Sequence, residues 1–134
     1  MIRLSKKVEY ALMALKHFAV SNGNVITAKE ISDKHKIPYE LLAKILQRLK
    51  RENVLTSIQG TKGGYQLNRK PDQINLHFLM NTIDGNLALT ECQCAHNKGG
   101  VCVMNDTCNI KQPISVMQRE IEEVFKRKTI SDFV

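Results

Sequence analysis

Two helix starts lie eleven residues apart in the first half of the chain, and that spacing limits the fold more than any other feature. The first is Thr27-Ala28-Lys29-Glu30, a capping box in which hydroxyl and carboxylate each satisfy a backbone N–H left open by the first helical turn. Ile26 and Ile31 sit where a hydrophobic staple needs them. The second start is Pro38, which fits the first position of a helix, where its missing N–H costs nothing. Between them a helix can run only to about His35, with Lys36-Ile37 as the turn. After Pro38, the residues Leu41, Leu42, Ile45, Leu46 and Leu49 repeat as a buried stripe. Tyr39, Glu40, Ala43, Lys44, Gln47, Arg48, Lys50 and Arg51 are left facing outward. Two short helices, a tight turn and a basic second helix form the pattern of a helix-turn-helix. In that arrangement the second helix enters the major groove with its early residues on base edges. The candidate DNA contacts are therefore Tyr39, Glu40, Ala43, Lys44, Gln47, Arg48 and Arg51. The competing reading is an ordinary solvated helical face.

The flanking stretches fit the same plan. A helix is expected from Ser5, whose hydroxyl can cap it, with Val8, Leu12, Leu15 and Ala19 as its stripe and Ala11 and Phe18 beside them. Asn22-Gly23-Asn24 ends it. After the helix pair, Val54–Gln59 alternates as a strand, Gly60–Gly64 makes a turn, and Tyr65–Leu67 returns. A hairpin in this place is a wing. Its glycines let backbone come close to phosphate or the minor groove, and Lys62 adds charge at the tip. Gln59, Thr61, Lys62 and Gly63 are its candidate contacts.

Charge supports a polyanion partner. The net charge is +7, but residues 1–70 hold 14 Lys/Arg against 5 Asp/Glu, and residues 71–134 hold 6 against 8. Nucleic acid is expected for the first half and not for the second. No helix joins a strongly apolar face to a basic one, and no apolar run approaches membrane-spanning length, so no membrane partner is expected. No nucleophile–base pair, phosphate loop or paired carboxylates stand out, which argues against an enzyme.

Residues 71–134 read differently. A short helix is expected from about Asn75 to Asp84, with Leu76, Leu79, Met80 and Ile83 buried and Gly85 as its stop. All four cysteines follow within seventeen residues, at Cys92, Cys94, Cys102 and Cys108. Nothing resembles a secretory signal, so a cytoplasmic chain is expected, where clustered thiols mean metal or redox chemistry more often than disulfides. Zinc sites usually show paired Cys-x-x-Cys elements, and none is present. Irregular spacing around Gly99-Gly100 suits an iron–sulfur cluster. Zinc and a simple thiol switch remain open. From about 109 to 127, Ile110, Ile114, Met117, Ile121 and Val124 repeat at 4-3-4-3, a heptad seam expected to pair with a second copy. Pro113 either starts the regular helix or kinks it. The expected fold is mainly α. A winged helix-turn-helix (1–70) continues into a cysteine loop (about 90–108) and a dimerisation helix (about 109–127), as one compact unit.

Over essentially its whole length the chain resembles the IscR/NsrR-type winged-helix transcriptional regulators of bacteria. The resemblance is carried by Leu4-Ser5, Tyr10-Ala11-Leu12 and Ala14-Leu15, by Glu30-Ile31-Ser32, and by Ile37 with Leu41-Leu42. It continues in the wing from Gly60 to Leu67, in Ile83-Asp84-Gly85, and in Leu89-Thr90-Glu91-Cys92. Cys102, Cys108 and the terminal Ile130-Ser131-Asp132-Phe133-Val134 complete it. The resemblance implies a homodimer on a palindromic operator, each subunit holding a 2Fe–2S or 4Fe–4S cluster through three loop cysteines. These would be Cys92, Cys102 and Cys108, with Cys94 as the alternative to Cys92. In one type of relative the fourth ligand is a histidine three residues after the last cysteine, but Lys111 stands there. In the nitric-oxide type it is a carboxylate of the first helix, donated by the other subunit. The matching position is Glu9, with His96 and His17 as competing candidates. The implied function is a regulator sensing redox state, nitric oxide or iron–sulfur status. The alternatives are a cluster-free thiol switch and a zinc-stabilised DNA-binding protein.

Overall fold

The computed structural model describes residues 3–85, 87–90 and 107–134. Its elements in order are α1 (Lys6–Val20), α2 (Ala28–His35), α3 (Tyr39–Arg51), β1 (Leu55–Ile58), β2 (Gly64–Leu67), α4 (Leu76–Asp84) and α5 (Lys111–Arg127). Short 3-10 turns cover Pro71–Gln73 and Ile130–Phe133.

α1 is the helix the others pack around. The Ser5 hydroxyl accepts from the Val8 N–H at 3.2 Å and starts it. Val8, Ala11, Ala14, Leu15 and Phe18 are buried, against α3, α4 and the C-terminal turn. The expected stripe is rotated by a fraction of a turn: Leu12 and Ala19 are only half-buried, and Ala14 takes the inner position. The small side chains of Ala11 and Ala14 fit where neighbouring helices come close.

The helix-turn-helix forms as expected, with two local corrections. At α2 the Thr27 hydroxyl accepts from the Glu30 N–H at 3.1 Å, but only this half of the box is formed. Ile26 and Ile31 are buried. Lys36 is left-handed (φ 58°), and the Ser32 hydroxyl donates to the Ile37 carbonyl at 2.6 Å, closing the turn. Pro38 caps α3 from outside the helix instead of occupying its first position, because its ψ of 125° is extended. Leu42, Ile45, Leu46 and Leu49 are buried, and Leu41 is half-buried.

β1 and β2 pair antiparallel, Leu55 opposite Leu67 and Ile58 opposite Gly64. Strand alternation fails at the start, where Val54 and Leu55 are both buried, and at the end, where Ile58 is exposed. Ile26 adds a further rung, exchanging two backbone bonds of 2.8 Å with Tyr65. The wing is thus fastened to the residue just before the α2 cap.

Asn75 starts α4 by accepting from the Phe78 N–H at 2.7 Å, and Leu76, Leu79, Met80 and Ile83 are buried. Gly85 ends it at a φ of 97°, where a side chain would be strained. α5 begins two residues later than expected. Pro113 lies in its first turn, where a backbone N–H would have no acceptor within the helix, so its missing donor does not kink it. After α5, backbone bonds of Leu76 to Lys128 (2.8 Å) and of Ile130 to Ile74 (3.0 Å) bring the chain end back to α4. Buried residues of both halves, from Val8 to Ile130, form one core. Among the described residues no helix is long and apolar enough to cross a membrane.

Candidate nucleic-acid interface and sensing loop

The face of α3 opposite its buried stripe is a polar ridge. Tyr39, Glu40, Lys44, Gln47, Arg48 and Arg51 are exposed and Ala43 is half-buried. A groove runs on either side of the ridge. One, of about 460 Å³, lies between α3 and the wing and is lined by Gln47, Lys50, Arg51, Ser57, Gln59 and Tyr65. The other, of about 260 Å³, has Leu41, Ile45 and Ile83 as an apolar floor and Lys7, Lys44, Arg48 and Arg51 as a cationic rim. Gln47 and Arg51 border both. A ridge with basic grooves on both flanks suits a major groove and its two phosphate strands. Lys7 was not legible as part of this face, because no sequence pattern places the start of α1 beside α3. The wing presents Gln59, Thr61 and Lys62 exposed and Gly63 half-exposed. The Gln66 side-chain amide donates to the Gly23 carbonyl, tying β2 to the loop between α1 and α2.

Arg48 has a second engagement. One guanidinium nitrogen donates to the Ile83 carbonyl at 2.7 Å and lies 3.5 Å from that of Thr82, in the last turn of α4. Gln118 is the one buried polar residue among those described. Its oxygen accepts from the Leu89 N–H at 2.8 Å, and its amide donates to the Leu87 carbonyl and to Glu122. It thereby fastens to α5 the segment that leads into the cysteines. Neither contact has a sequence signal, since each joins residues about thirty apart.

Of the expected metal ligands, Cys92, Cys94 and Cys102 lie outside the described residues, as does His96. Cys108 is half-buried with a free thiol, three residues before α5. Glu9 is half-exposed, 2.9 Å from the Lys6 ammonium, and its hydrogen bond and charge raise the Lys6 pKa. Lys111 is exposed at the start of α5. The His17 ring is engaged elsewhere, with His35. No three His, Cys, Asp or Glu residues among those described converge on a metal position.

A winged helix with a basic recognition ridge defines a DNA-binding transcriptional regulator and not an enzyme. The chain belongs to the Rrf2 family: the family model, described as an iron-dependent transcriptional regulator, matches residues 4–134. It is 25% identical over 134 residues to the HTH-type transcriptional regulator NsrR of Shouchella clausii, covering 99% of this chain and 89% of that one. To the HTH-type regulator IscR of Sodalis glossinidius it is 28% identical over 134 residues, covering 99% and 79%. The structure of CymR, the global cysteine regulator of Bacillus subtilis, has the same fold, with a TM-score of 0.77 at 22% identity over 99% of this chain and 96% of that one.

Proposed function

We propose that the protein is a cytoplasmic, homodimeric regulator whose operator binding is set by an iron–sulfur cluster. The observation that carries this reading is how the cysteine segment is framed. Its entry is bonded to α5 through Gln118, and its last thiol, Cys108, stands three residues before the same helix. The donors fit the group. Cys108, Cys102 and Cys92 (or Cys94) would supply thiolates, and the partner subunit's Glu9 would supply a carboxylate. Glu9 can serve because its carboxylate is held by an ion pair with the largely exposed Lys6, which is weak and easily given up. An iron–sulfur cluster supplies redox and nitric-oxide reactivity, and a hard oxygen ligand leaves one iron open to attack.

The chain's own residues do the rest. α3 reads base edges through its ridge, and Lys62, Lys44 and Lys7 hold phosphates. Ile110 at the cap of α5, and Met117 and Val124 within it, are 55%, 48% and 44% exposed in the single chain, an apolar seam that suits a second copy. Two half-sites read by two symmetric ridges require a palindromic operator.

One feature favours a second reading. The loop has one thiol more than three ligands require, and Cys92 and Cys94 are close enough in sequence to act as a cluster-free thiol switch. Anaerobic purification with visible absorption and metal and sulfide analysis decides. Iron and sulfide, with colour bleached by nitric oxide or oxygen, are expected. Colourless, iron-free protein from iron-replete anaerobic cells would leave the thiol switch, and stoichiometric zinc indifferent to oxidant would make the metal structural.

A further inference from the structure

Arg48 sits on the helix that reads DNA, yet one nitrogen of its guanidinium is bonded at the end of α4. The Ile83 and Thr82 carbonyls belong to the last turn of α4, where helical acceptors lack backbone donors and carry the negative end of the helix dipole. A single guanidinium nitrogen reaches both oxygens, closely at Ile83 and at the limit of a hydrogen bond at Thr82. Beyond Gly85 the chain is held again, by Gln118 of α5 at Leu87 and Leu89. The stem that leads to the cysteines is therefore held by the recognition helix at the last turn of α4 and by α5 at Leu87 and Leu89.

We propose that Arg48 is a positioning residue that ties α3 to this stem, so that a displacement of the stem is passed to the recognition helix. The regulatory half of the proposal rests on the sensing role given above; the tie itself does not. A tie transmits only the difference in its own strength between the two loop states, so its removal should reduce discrimination without erasing binding.

The test uses the whole protein and a duplex that the protein itself selects from random sequence. Affinity is measured for wild type, Arg48→Ala and Lys44→Ala, each as isolated anaerobically and after exposure to nitric oxide. Arg48→Ala should shrink the ratio between the two states by about 2- to 30-fold and leave the salt slope unchanged. Lys44→Ala should weaken both states alike and lower the slope by about 1.8, one contact being lost in each subunit of the dimer. If Arg48→Ala behaves like Lys44→Ala, Arg48 is a phosphate contact and the proposal is overturned. If wild type shows no difference between states, the sensing role fails, and hydrogen exchange then decides on the tie. Saturating DNA should slow exchange at the Leu87 and Leu89 amides in wild type and not in Arg48→Ala; equal slowing in both overturns the tie. Should Arg48→Ala lose its cooperative melt, Arg48→Lys replaces it. That variant keeps the charge of a phosphate contact, but its ammonium ends one atom short of the guanidinium nitrogen that reaches the Ile83 carbonyl.

Discussion

His17 Nδ1 lies 2.9 Å from His35 Nε2, and the two rings meet edge to face with centroids 5.2 Å apart. The bond joins α1 to the end of α2, behind the turn of the helix-turn-helix. It needs at least one ring neutral, since two imidazolium rings are both donors.

That requirement sets a pH dependence. Burial lowers the His17 pKa from its ordinary 6.5, Lys34 and then His35 lower it further, and Glu30 opposes them. Below the ordinary value the unfolded chain therefore binds the proton more readily than the folded one. The contribution of this pair to stability is whole above 6.5 and is lost as pH falls from there through the depressed folded value. Urea midpoints should be flat between about pH 7 and 8 and decline below about 6.5. In His17→Asn the decline should be smaller, the difference between the two curves cancelling the other groups. Parallel curves would remove the pair from the linkage.

Gln118 gives a second prediction. Gln118→Leu keeps the side chain's bulk but leaves the Leu89 N–H and the Leu87 carbonyl without their partner. A loss of about 1–3 kcal/mol in urea melts is expected, toward the lower end because both residues are half-exposed. Gln118→Glu keeps the acceptor but sets a second carboxylate beside Glu122, now 2.9 Å from the Gln118 amide nitrogen. Its deficit should therefore shrink in acid, as either carboxylate takes a proton. A deficit independent of pH would mean that Glu122 swings away.

These two contacts mark the limit of what could be read from residues alone. Caps and stripes are local, so Ser5, Thr27, Asn75 and Gly85 could be placed from spacings of three or four. The recognition ridge followed from the α3 stripe in the same way. Arg48 to Ile83 and Gln118 to Leu89 span 35 and 29 positions, and nothing near either residue names its partner. For the same reason Lys7 was missed beside α3, and the bond of Arg48 to the end of α4 was not foreseen. The inward place of Ala14 was missed because an alanine carries little hydrophobic signal until a neighbouring helix is known to lie against it. The cysteines were legible as a cluster of donors, but spacing does not say which thiols share a metal.

The wing offers a third prediction. A Cβ on Gly63 would fall 2.4 Å from the Ile58 carbonyl oxygen and 2.8 Å from that of Gly60, so Gly63→Ala must open the turn. Lys62, exposed at the tip, should contact phosphate only. In anisotropy titrations across salt, Lys62→Ala should weaken every duplex alike and lower the slope by about 1.8, one contact being lost in each subunit of the dimer. Gly63→Ala should weaken binding further, because it displaces Thr61 and Gln59 along with Lys62. A change in sequence preference without loss of slope would place Lys62 on a base.

The α5 seam carries the last prediction. Met117 lies mid-seam and is 48% exposed in the single chain, so Met117→Asp should leave the fold of one subunit undisturbed. In a dimer the same carboxylate would be buried without a partner, at a cost of about 3 kcal/mol or more. Self-association, read by sedimentation equilibrium, should then weaken by about 100-fold or more. Ile110 and Val124 lie seven residues to either side, so Ile110→Asp and Val124→Asp should act in the same direction. Affinity for a palindromic duplex should fall with dimerisation, while affinity for an isolated half-site should not, because the ridge on α3 lies outside the seam. If Met117→Asp stays dimeric, the seam is not the interface. If half-site and palindrome lose affinity equally, α5 acts on the ridge directly and not through a second copy.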